Sequence, residues 1–383
     1  MTKASIVIGC GWGDEGKGRT TDYLCSLPSL THELQNEVEK KIVIRFSGGQ
    51  QAGHNVKIND LSHIHSNFGS GTLRGVPSFF SEHCTIYPVT MFREQQVLNS
   101  KGITPKLYIH PLAKVTTPFD VAYNRIIELK KGHGSCGLGI SATMKRNLET
   151  GHKLYAIDLF NQSLLNAKLI NIQKYYYNLI DNETDLCIFR DFELGDIDDF
   201  FVSLEKLKFE TRNYEFIKEN YDNLIFEGSQ GILLDMDHGI FPNVTFANTT
   251  SKNALEICNK LGISKENIQI YYITRCYQTR HGTGWMSNQE KIKLINTEDE
   301  INVYNEWQQN FKIGELDYNL LNYALDVDMI YSEGLRRHLV VTCLDQRPGF
   351  EFNSKKLKYG FKTIFGTYSP DNSKLMHPME FFI

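Results

Sequence analysis

The chain has 383 residues, eight scattered cysteines and a formal net charge of −4. This length suits one large α/β domain or two smaller ones, and the mildly acidic balance argues against a nucleic-acid-binding or membrane-binding surface. No run approaches the roughly 18 apolar residues of a membrane span, and the cysteine spacing does not support a zinc site. The first residues lead directly into an apolar run, so we expect a cytoplasmic protein with reduced thiols.

A glycine-rich loop follows that apolar run, residues 6–8, and precedes a predicted helix over residues 20–26. The spacing Gly11-x4-Gly16-Lys17 fits the P-loop pattern. In this pattern backbone N–H groups and the helix N-terminus face an anion, and the lysine adds a positive charge. The loop is therefore predicted to bind phosphate.

Three residues depart from the ordinary P-loop. Gly18 stands where a Ser or Thr hydroxyl would hold Mg²⁺, and Asp14 and Glu15 lie inside the loop. Acids beside phosphates repel them unless they bind a metal or move a proton. The loop thus predicts phosphate binding coupled to acid–base chemistry.

Further short apolar runs are typical of buried parallel strands. They cover residues 42–44, 84–87, 106–109, 224–226, 268–273 and 339–342. Helical patterns lie between them, at 120–131, capped by Asp120 and stopped by Gly132, and at 252–261, stopped by Gly262.

The alternation of strands and helices predicts an α/β fold with a large, mainly parallel sheet flanked by helices. We expect one domain over residues 1–383. The segment from about 140 to 218 has longer helical character and predicts a helical insertion.

Polar residues follow two of these predicted strands. His54 comes after two glycine clusters and could donate to a phosphate or act as a general acid, although a structural role is the alternative. Gln230 offers an amide at a strand's carboxyl end, where α/β proteins bind ligands. Asp235 and Asp237 either contact a ligand or cap turns.

Two more loops follow later strands. Residues 279–284 could line a sugar or a phosphate with their backbone. Thr342-Cys343-Leu344-Asp345 is similar to the [NT]-K-x-D signature of guanine-binding proteins, with Cys343 in place of the lysine. The alternative for Asp345 is a turn at a strand end.

Taken together and in order, these motifs resemble those of the adenylosuccinate synthetase family. The matching segments are 12–18, 51–54, 226–250, 279–284, 314–317, 342–345 and 366–371. The resemblance implies a ligase that joins L-aspartate to carbon 6 of a 6-oxopurine nucleotide, with nucleoside triphosphate hydrolysis through a 6-phosphoryl intermediate. It also implies a homodimer.

The resemblance assigns catalytic roles to three residues. Asp14 would take the N1 proton of the purine, His54 would stabilise phosphoryl transfer, and Lys17 would contact phosphates. Mg²⁺ would bind to Asp14 and to the carbonyl of Gly53.

The resemblance also assigns three groups of binding residues. The acceptor nucleotide would contact Gln51, Ser135, Cys136, Gln230, Thr245 and His281. The triphosphate would contact Gly13, Glu15, Gly16, Gly18, Gly53, Asn55, Asp345, Ser369 and Pro370. L-Aspartate would contact Gln308 and Lys312.

Several departures resemble the short archaeal and phage branch of the family, which includes phage 2-aminoadenylosuccinate synthetase. Residues 305–313 replace the arginine-rich aspartate loop, and residues 135–139 replace the family's T-T-G-R-G segment. The altered loops favour dGMP as the acceptor, which would imply a phage enzyme in a host cytoplasm. Asp14 favours IMP, because the better-known phage enzymes carry Ser there.

Other questions stay open at the level of sequence. The donor is GTP, ATP or dATP, because Cys343 weakens the guanine signature. The arginine that would reach the partner's nucleotide lies in residues 144–147 without a unique alignment. The alternatives to this ligase are a non-catalytic nucleotide-binding descendant, or a related ligase acting on another amine or oxo-heterocycle.

Overall fold

The computed structural model describes residues 2–28, 40–131, 137–289, 292–295, 311–374 and 376–379. The strands are β1 Lys3–Gly9, β2 Lys41–Arg45, β3 His54–Ile58, β4 Leu61–His65, β5 Ser78–Phe80, β6 Thr85–Ile86, β7 Leu107–Ile109, β8 Lys114–Val115, β9 Glu210–Thr211, β10 Asn223–Gly231, β11 Ile268–Arg275, β12 Tyr277–His281, β13 Phe311–Glu315, β14 Arg336–Thr342, β15 Thr363–Gly366 and β16 His377–Pro378. The helices are α1 Lys17–Ser26, α2 Pro88–Ser100, α3 Pro118–Lys131, α4 Ile140–Glu149, α5 Gln162–Tyr177, α6 Glu183–Lys206, α7 Tyr214–Asn220, α8 Lys252–Leu261 and α9 Tyr318–Ser332.

Ten of these strands form one sheet in the order β16-β15-β14-β11-β1-β10-β2-β5-β7-β9. Every neighbouring pair is parallel except β15 and β16. The predicted large, mainly parallel sheet flanked by helices is therefore confirmed. Three two-stranded pairs stand beside it: β12 with β13, β3 with β4, and β6 with β8.

The centre of the sheet is buried on both faces. Ile6, Val7 and Ile8 of β1 are all fully buried. Ile6 and Ile8 belong to the largest apolar cluster, whereas Val7 packs on the other face with Leu24 of α1. Burial of both faces explains why this strand is an uninterrupted apolar run.

The predicted helix ends differ at one position. Gly262 closes α8 in the left-handed conformation, with φ of 72°, as the sequence indicated. The cap of α3, however, is Thr117 and not Asp120. The Asp120 amide donates to Thr117 Oγ1, and the Asp120 carboxylate accepts from the Thr117 amide in return, which is a capping box. The expected stop at Gly132 lies outside the described residues.

The strand predictions also need one correction. The run at 84–87 forms β6, which pairs with β8 outside the large sheet. The sheet instead uses β5 and β15, which are too short for their apolar pattern to stand out. The segment 140–218 contains α4 to α7, and its short strand β9 joins the large sheet beside β7. No described helix is long and apolar enough to cross a membrane.

Candidate active site

The order of the strands changes direction at the centre of the sheet: β2, β5, β7 and β9 lie on one side of β1, and β11, β14, β15 and β16 lie on the other. The loops at the carboxyl ends of β1, β2, β10, β11 and β14 meet at one edge of the sheet. Ligands of parallel α/β sheets bind in the crevice outside these ends. The glycine-rich loop after β1 lies at the centre of this edge.

Glu15 fills the inside of that loop. Its Oε1 accepts hydrogen bonds from the amides of Gly11 (2.9 Å) and Gly13 (2.8 Å). Its Oε2 lies 2.7 Å from Lys17 Nζ, which also donates to the carbonyl of Gly13. Burial acts to raise the pKa of Glu15, but Lys17 and the loop amides outweigh it and lower that pKa. The loop therefore binds an anion, and here the anion is its own carboxylate.

Asp14 is placed quite differently from its neighbour. About a quarter of its side chain is exposed, and its Oδ2 lies 3.4 Å from His281 Nε2. The backbone carbonyl of Asp14 accepts a hydrogen bond from the Arg275 guanidinium. The carboxylate is thus held at the surface of a cavity, where it can receive a proton.

Packing explains why residue 18 is a glycine. A Cβ at this position would lie 2.6 Å from the His54 Cβ and 2.9 Å from the Ser70 hydroxyl. The Ser or Thr of an ordinary P-loop would collide with these side chains. The first turn of α1 therefore lies directly against His54.

His54 forms a buried pair with Glu227 of β10. Its Nδ1 lies 2.7 Å from Glu227 Oε1, and its Nε2 lies 3.3 Å from the carbonyl of Ser229. An ionised carboxylate can only accept, so Nδ1 carries the proton of this bond, and Nε2 lies beside the Ser229 carbonyl. The amide of Ser70 donates to Glu227 Oε2 (3.0 Å), and its hydroxyl donates to Oε1.

Electrostatics reinforce this pair. Burial acts to raise the pKa of Glu227, but His54, Arg45 and Ser70 outweigh it and hold the pKa at about 2. Burial is the main cause that lowers the pKa of His54, and Glu227 opposes it. Glu227 thus stays ionised, ready to stabilise a positive charge on His54.

The sequence motifs assign no role to Arg45 or Glu227. The two residues are register partners on β2 and β10, and both are fully buried. None of the three Arg45 guanidinium nitrogens has a hydrogen-bond partner among the described residues. A charged residue at the end of a buried apolar run was the available signal in both cases.

A cavity of about 930 Å³, here called the acceptor cavity, opens beside the loop. Four of the six residues assigned to the acceptor nucleotide line it: Gln51, Gln230, Thr245 and His281. Asp14 and His54 line it as well, and so do Gly13 and Gly53, which were assigned to the triphosphate. The amide oxygens of Gln51 and Gln230 and the amide nitrogen of Gln51 are buried with no partner among the described residues. Buried amide atoms without a hydrogen-bond partner are typical of a ligand-binding site.

Arg280 of β12 lines the same cavity, and its register partner Lys312 of β13 contacts a residue that lines it. Arg280 lies in its wall, with the guanidinium 3.9 Å from the Trp12 ring centroid and bonded to the carbonyl of Asn243 (3.0 Å). Lys312 Nζ donates to the carbonyl of Gly284 (2.6 Å). Burial lowers the pKa of Arg280 to about 10, and burial together with Arg280 lowers that of Lys312.

Asp345, Ser369 and Pro370 are expected to hold the donor base, and Arg19 lies next to them. We call these four residues the donor surface. Arg19 Nε donates to the carbonyl of Ser369 (3.0 Å). Burial lowers the pKa of Arg19, while Cys343 and Asp345 oppose that shift, so both lie near the guanidinium. Arg19 therefore links the two expected base-binding segments, a role that motif matching did not assign.

The other residues singled out in the sequence have the following positions. Asp235 is buried and structural, because it accepts from the amides of Asp237 (2.9 Å), His238 (3.2 Å) and Thr249. Asn55 lies in β3, paired with Ile64, and not among the residues lining the acceptor cavity. Ser135, Cys136 and Gln308 lie outside the described residues.

Of the cations between residues 144 and 147, only one borders the cavity. Arg146 is fully buried and binds both oxygens of Asp120 and the carbonyl of Val115. Lys145 lines the acceptor cavity, near the ring of Phe246.

Sequence comparisons match this arrangement. A profile of the adenylosuccinate synthetase family matches residues 6–355. The adenylosuccinate synthetase of Bordetella parapertussis is 29% identical over 296 residues, which cover 74% of this chain and 64% of that protein. The chain thus spans less than two thirds of that relative's length. The enzyme of Borrelia recurrentis is 27% identical, with 98% of this chain and 84% of that protein covered.

Structural comparisons show the same fold. The fully ligated adenylosuccinate synthetase of Plasmodium falciparum has a TM-score of 0.62 at 21% identity and covers 99% of this chain and 87% of its own. The succinoaminodeoxyadenylate synthetase of cyanophage S-2L, bound to dGMP and to dATP as an energy donor, has a TM-score of 0.64 at 14% identity and covers 97% and 94%. With a family profile spanning residues 6–355, the chain belongs to the adenylosuccinate synthetase family.

Proposed function

We propose that this chain joins L-aspartate to carbon 6 of a 6-oxopurine nucleotide and cleaves a nucleoside triphosphate to the diphosphate. The observation that carries the proposal is the acceptor cavity. There an accessible carboxylate, Asp14, and the His54–Glu227 pair lie beside the unpaired amides of Gln51 and Gln230. Membership of the family supports the same reaction.

The first step activates the purine. Asp14 takes the N1 proton, and the electron pair moves onto O6, which attacks the γ-phosphorus while the diphosphate leaves. His54 stabilises the transferring phosphoryl group, and Glu227 stabilises positive charge on the ring. The second step is displacement of the 6-phosphate by the amine of L-aspartate.

Mg²⁺ fits the donor set at this edge of the cavity. Asp14 and Gly53 both line it. A carboxylate and a backbone carbonyl are oxygen ligands of the kind that Mg²⁺ prefers. When bound, the ion would neutralise charge on the phosphates.

The dicarboxylate of L-aspartate needs cations, and we propose Lys312, with Arg280 beside it. Lys312 and Gln308 keep the role that the family resemblance implies for them. Arg280 is a residue that the motif assignment did not place there. Its position in the cavity wall and its planar guanidinium suit a carboxylate.

The proposal keeps two alternatives for the acceptor and three for the donor. The acceptor is IMP or dGMP, and the donor is GTP, ATP or dATP. The cyanophage relative was solved with dGMP and dATP, whereas the retained Asp14 favours IMP. On the donor surface, Asp345 and Ser369 are proposed to contact the base of the triphosphate.

We also propose a homodimer. Arg146 is committed to its buried pair with Asp120, so it is not the residue that reaches the partner's nucleotide. Lys145 is the other cation of α4 and is the better candidate.

The test is a phosphate-release assay with Mg²⁺ and L-aspartate that crosses IMP and dGMP with GTP, ATP and dATP. We expect turnover with one acceptor and formation of its succinyl derivative. Glu227→Gln should reduce turnover strongly while nucleotide binding persists, because it removes the charge opposite His54. Nucleotide binding without turnover in every combination would overturn the ligase and favour the non-catalytic descendant.

A further inference from the structure

A second cluster of polar side chains lies between α2 and the β3–β4 hairpin, which carries His54. His63 and His65 of β4 and Glu94 of α2 are all buried, and one ligand atom from each lies within 4.8 Å of the others. None of these residues has a role in the ligase reaction proposed above. The cysteine spacing gave no indication of this site, because its members are histidines and a carboxylate from separate elements.

His65 is the residue that points to a ligand. It is fully buried, and neither ring nitrogen has a hydrogen-bond partner among the described residues. Its ring centroid lies 4.7 Å from that of His63. A neutral imidazole has one donor and one acceptor, and buried nitrogens in this state need a partner.

The other two members are already arranged like ligands. His63 Nε2 lies 3.2 Å from Glu94 Oε1. Two ligands of a tetrahedral zinc ion, each about 2.0–2.1 Å from the metal, are separated by roughly the same distance. Glu94 Oε2 accepts from the amide of Asn67 (2.7 Å) and from its side chain (2.9 Å), and such outer bonds orient a ligating carboxylate.

A simple hydrogen bond between His63 and Glu94 is the competing explanation, and Lys101 supports it. Lys101 Nζ lies 3.3 Å from His63 Nδ1, so the ring proton then sits on Nε2. Lys101 is exposed and also donates to the carbonyl of Ser62, so it can release Nδ1. This explanation leaves His65 without a partner, whereas a metal ion accounts for all three side chains.

We propose that His63, His65 and Glu94 bind a divalent transition-metal ion of the zinc type, separate from the catalytic Mg²⁺. His65 is the register partner of His54 across the β3–β4 hairpin. An ion here would therefore fix the hairpin that carries the catalytic histidine to α2.

Metal analysis of the full-length chain tests this proposal without reference to ligase activity. Purified protein is dialysed against Zn²⁺ in the presence of Mg²⁺, and excess ion is removed on a weak chelating resin. We expect about one zinc per chain in the wild type and less than about 0.2 in Glu94→Gln and His65→Leu. His83→Gln is the matched control, because His83 belongs to the half-exposed cluster with Glu82 and Glu256, and it should keep the wild-type content.

Less than about 0.2 zinc in the wild type would overturn the proposal, and so would equal contents in wild type and Glu94→Gln. Co²⁺ alone provides a second measurement on the unmodified chain. A four-coordinate visible spectrum is expected, and its absence also counts against the site. The Co²⁺ result decides the matter even if His65→Leu fails to fold.

Discussion

The two sides of the glycine-rich loop differ in how far the chain satisfies its own polar groups. On the side of the acceptor cavity, Gln51 and Gln230 have unpaired amide atoms, and Asp14 makes one long contact with His281. On the other side, Glu15 and Lys17 bind each other and the loop backbone.

This difference shows that adjacent acids in one loop can serve opposite purposes. Asp14 is available to a substrate, whereas Glu15 holds the loop together in place of a phosphate. The amides of Gly11 and Gly13 are thus occupied by the Glu15 carboxylate. In the acceptor cavity, in contrast, the amide atoms of Gln51 and the amide oxygen of Gln230 have no partner among the described residues.

Asp14→Asn should have the largest effect on activity. The amide cannot take the N1 proton, so we expect kcat to fall roughly 10²- to 10⁴-fold. The free energy of unfolding should change by less than about 0.5 kcal/mol, because the side chain is partly exposed. Phosphate release and urea unfolding measure the two quantities. Full activity in Asp14→Asn would contradict the assigned proton transfer.

Gln230→Met should lower kcat/KM for the acceptor nucleotide by roughly 10- to 100-fold, since a ligand would lose its amide partner. Stability should be unchanged or higher, because the Gln230 carbonyl oxygen has no partner among the described residues. Gln278→Met is the matched control. Gln278 Nε2 donates to the carbonyls of Ser287 (3.2 Å) and Glu315 (2.8 Å), so this variant should lose about 1–3 kcal/mol of stability. If Gln230→Met lost stability but kept its kcat/KM, while Gln278→Met kept its stability, the proposed ligand contact of Gln230 would be wrong.

Arg45→Met should lower kcat by roughly tenfold, a barrier change of about 1.4 kcal/mol. The reason is that the positive charge beside Glu227 disappears. Arg45→Lys should stay within about threefold of wild type, because the guanidinium makes no hydrogen bond to a described residue and only its charge matters. Steady-state kinetics of both variants provide the measurement. Equal losses in the two would show that guanidinium geometry is required.

Glu15→Gln should act mainly on stability and thus separates the two acids of the loop. The amide keeps an acceptor for Gly11 and Gly13 but leaves the buried Lys17 ammonium without its carboxylate. We expect a loss of about 1–3 kcal/mol in the free energy of unfolding, measured in urea beside Asp14→Asn. If Asp14→Asn destabilised the chain more than Glu15→Gln, the contrast between the two acids would be wrong.

Much of the fold could be predicted from the sequence. The first strand, the glycine-rich loop and α1 were predicted in place, because apolar periodicity and glycine spacing act over a few residues. The N-cap of α3 is Thr117 and not the predicted Asp120. This difference is also local, but the capping box contains both residues, and the sequence pattern alone does not distinguish them.

The candidate site was predicted in part. Asp14, His54, Gln51 and Gln230 were named from their motifs, and the structure gathers them in one cavity. Arg45 and Glu227 were missed as functional residues, because each is unremarkable within its own segment. Their significance depends on the pairing of β2 with β10, which brings together residues about 180 positions apart.

Local spacing and burial were enough to predict the strand–loop–helix unit, the sheet class and the set of polar side chains at the strand ends. Long-range contacts determine which of two neighbouring acids faces the cavity, which carboxylate pairs with His54, and that two histidines lie beside Glu94. Such contacts depend on strand order and side-chain direction, and a charge acquires its role from the partners that folding brings to it.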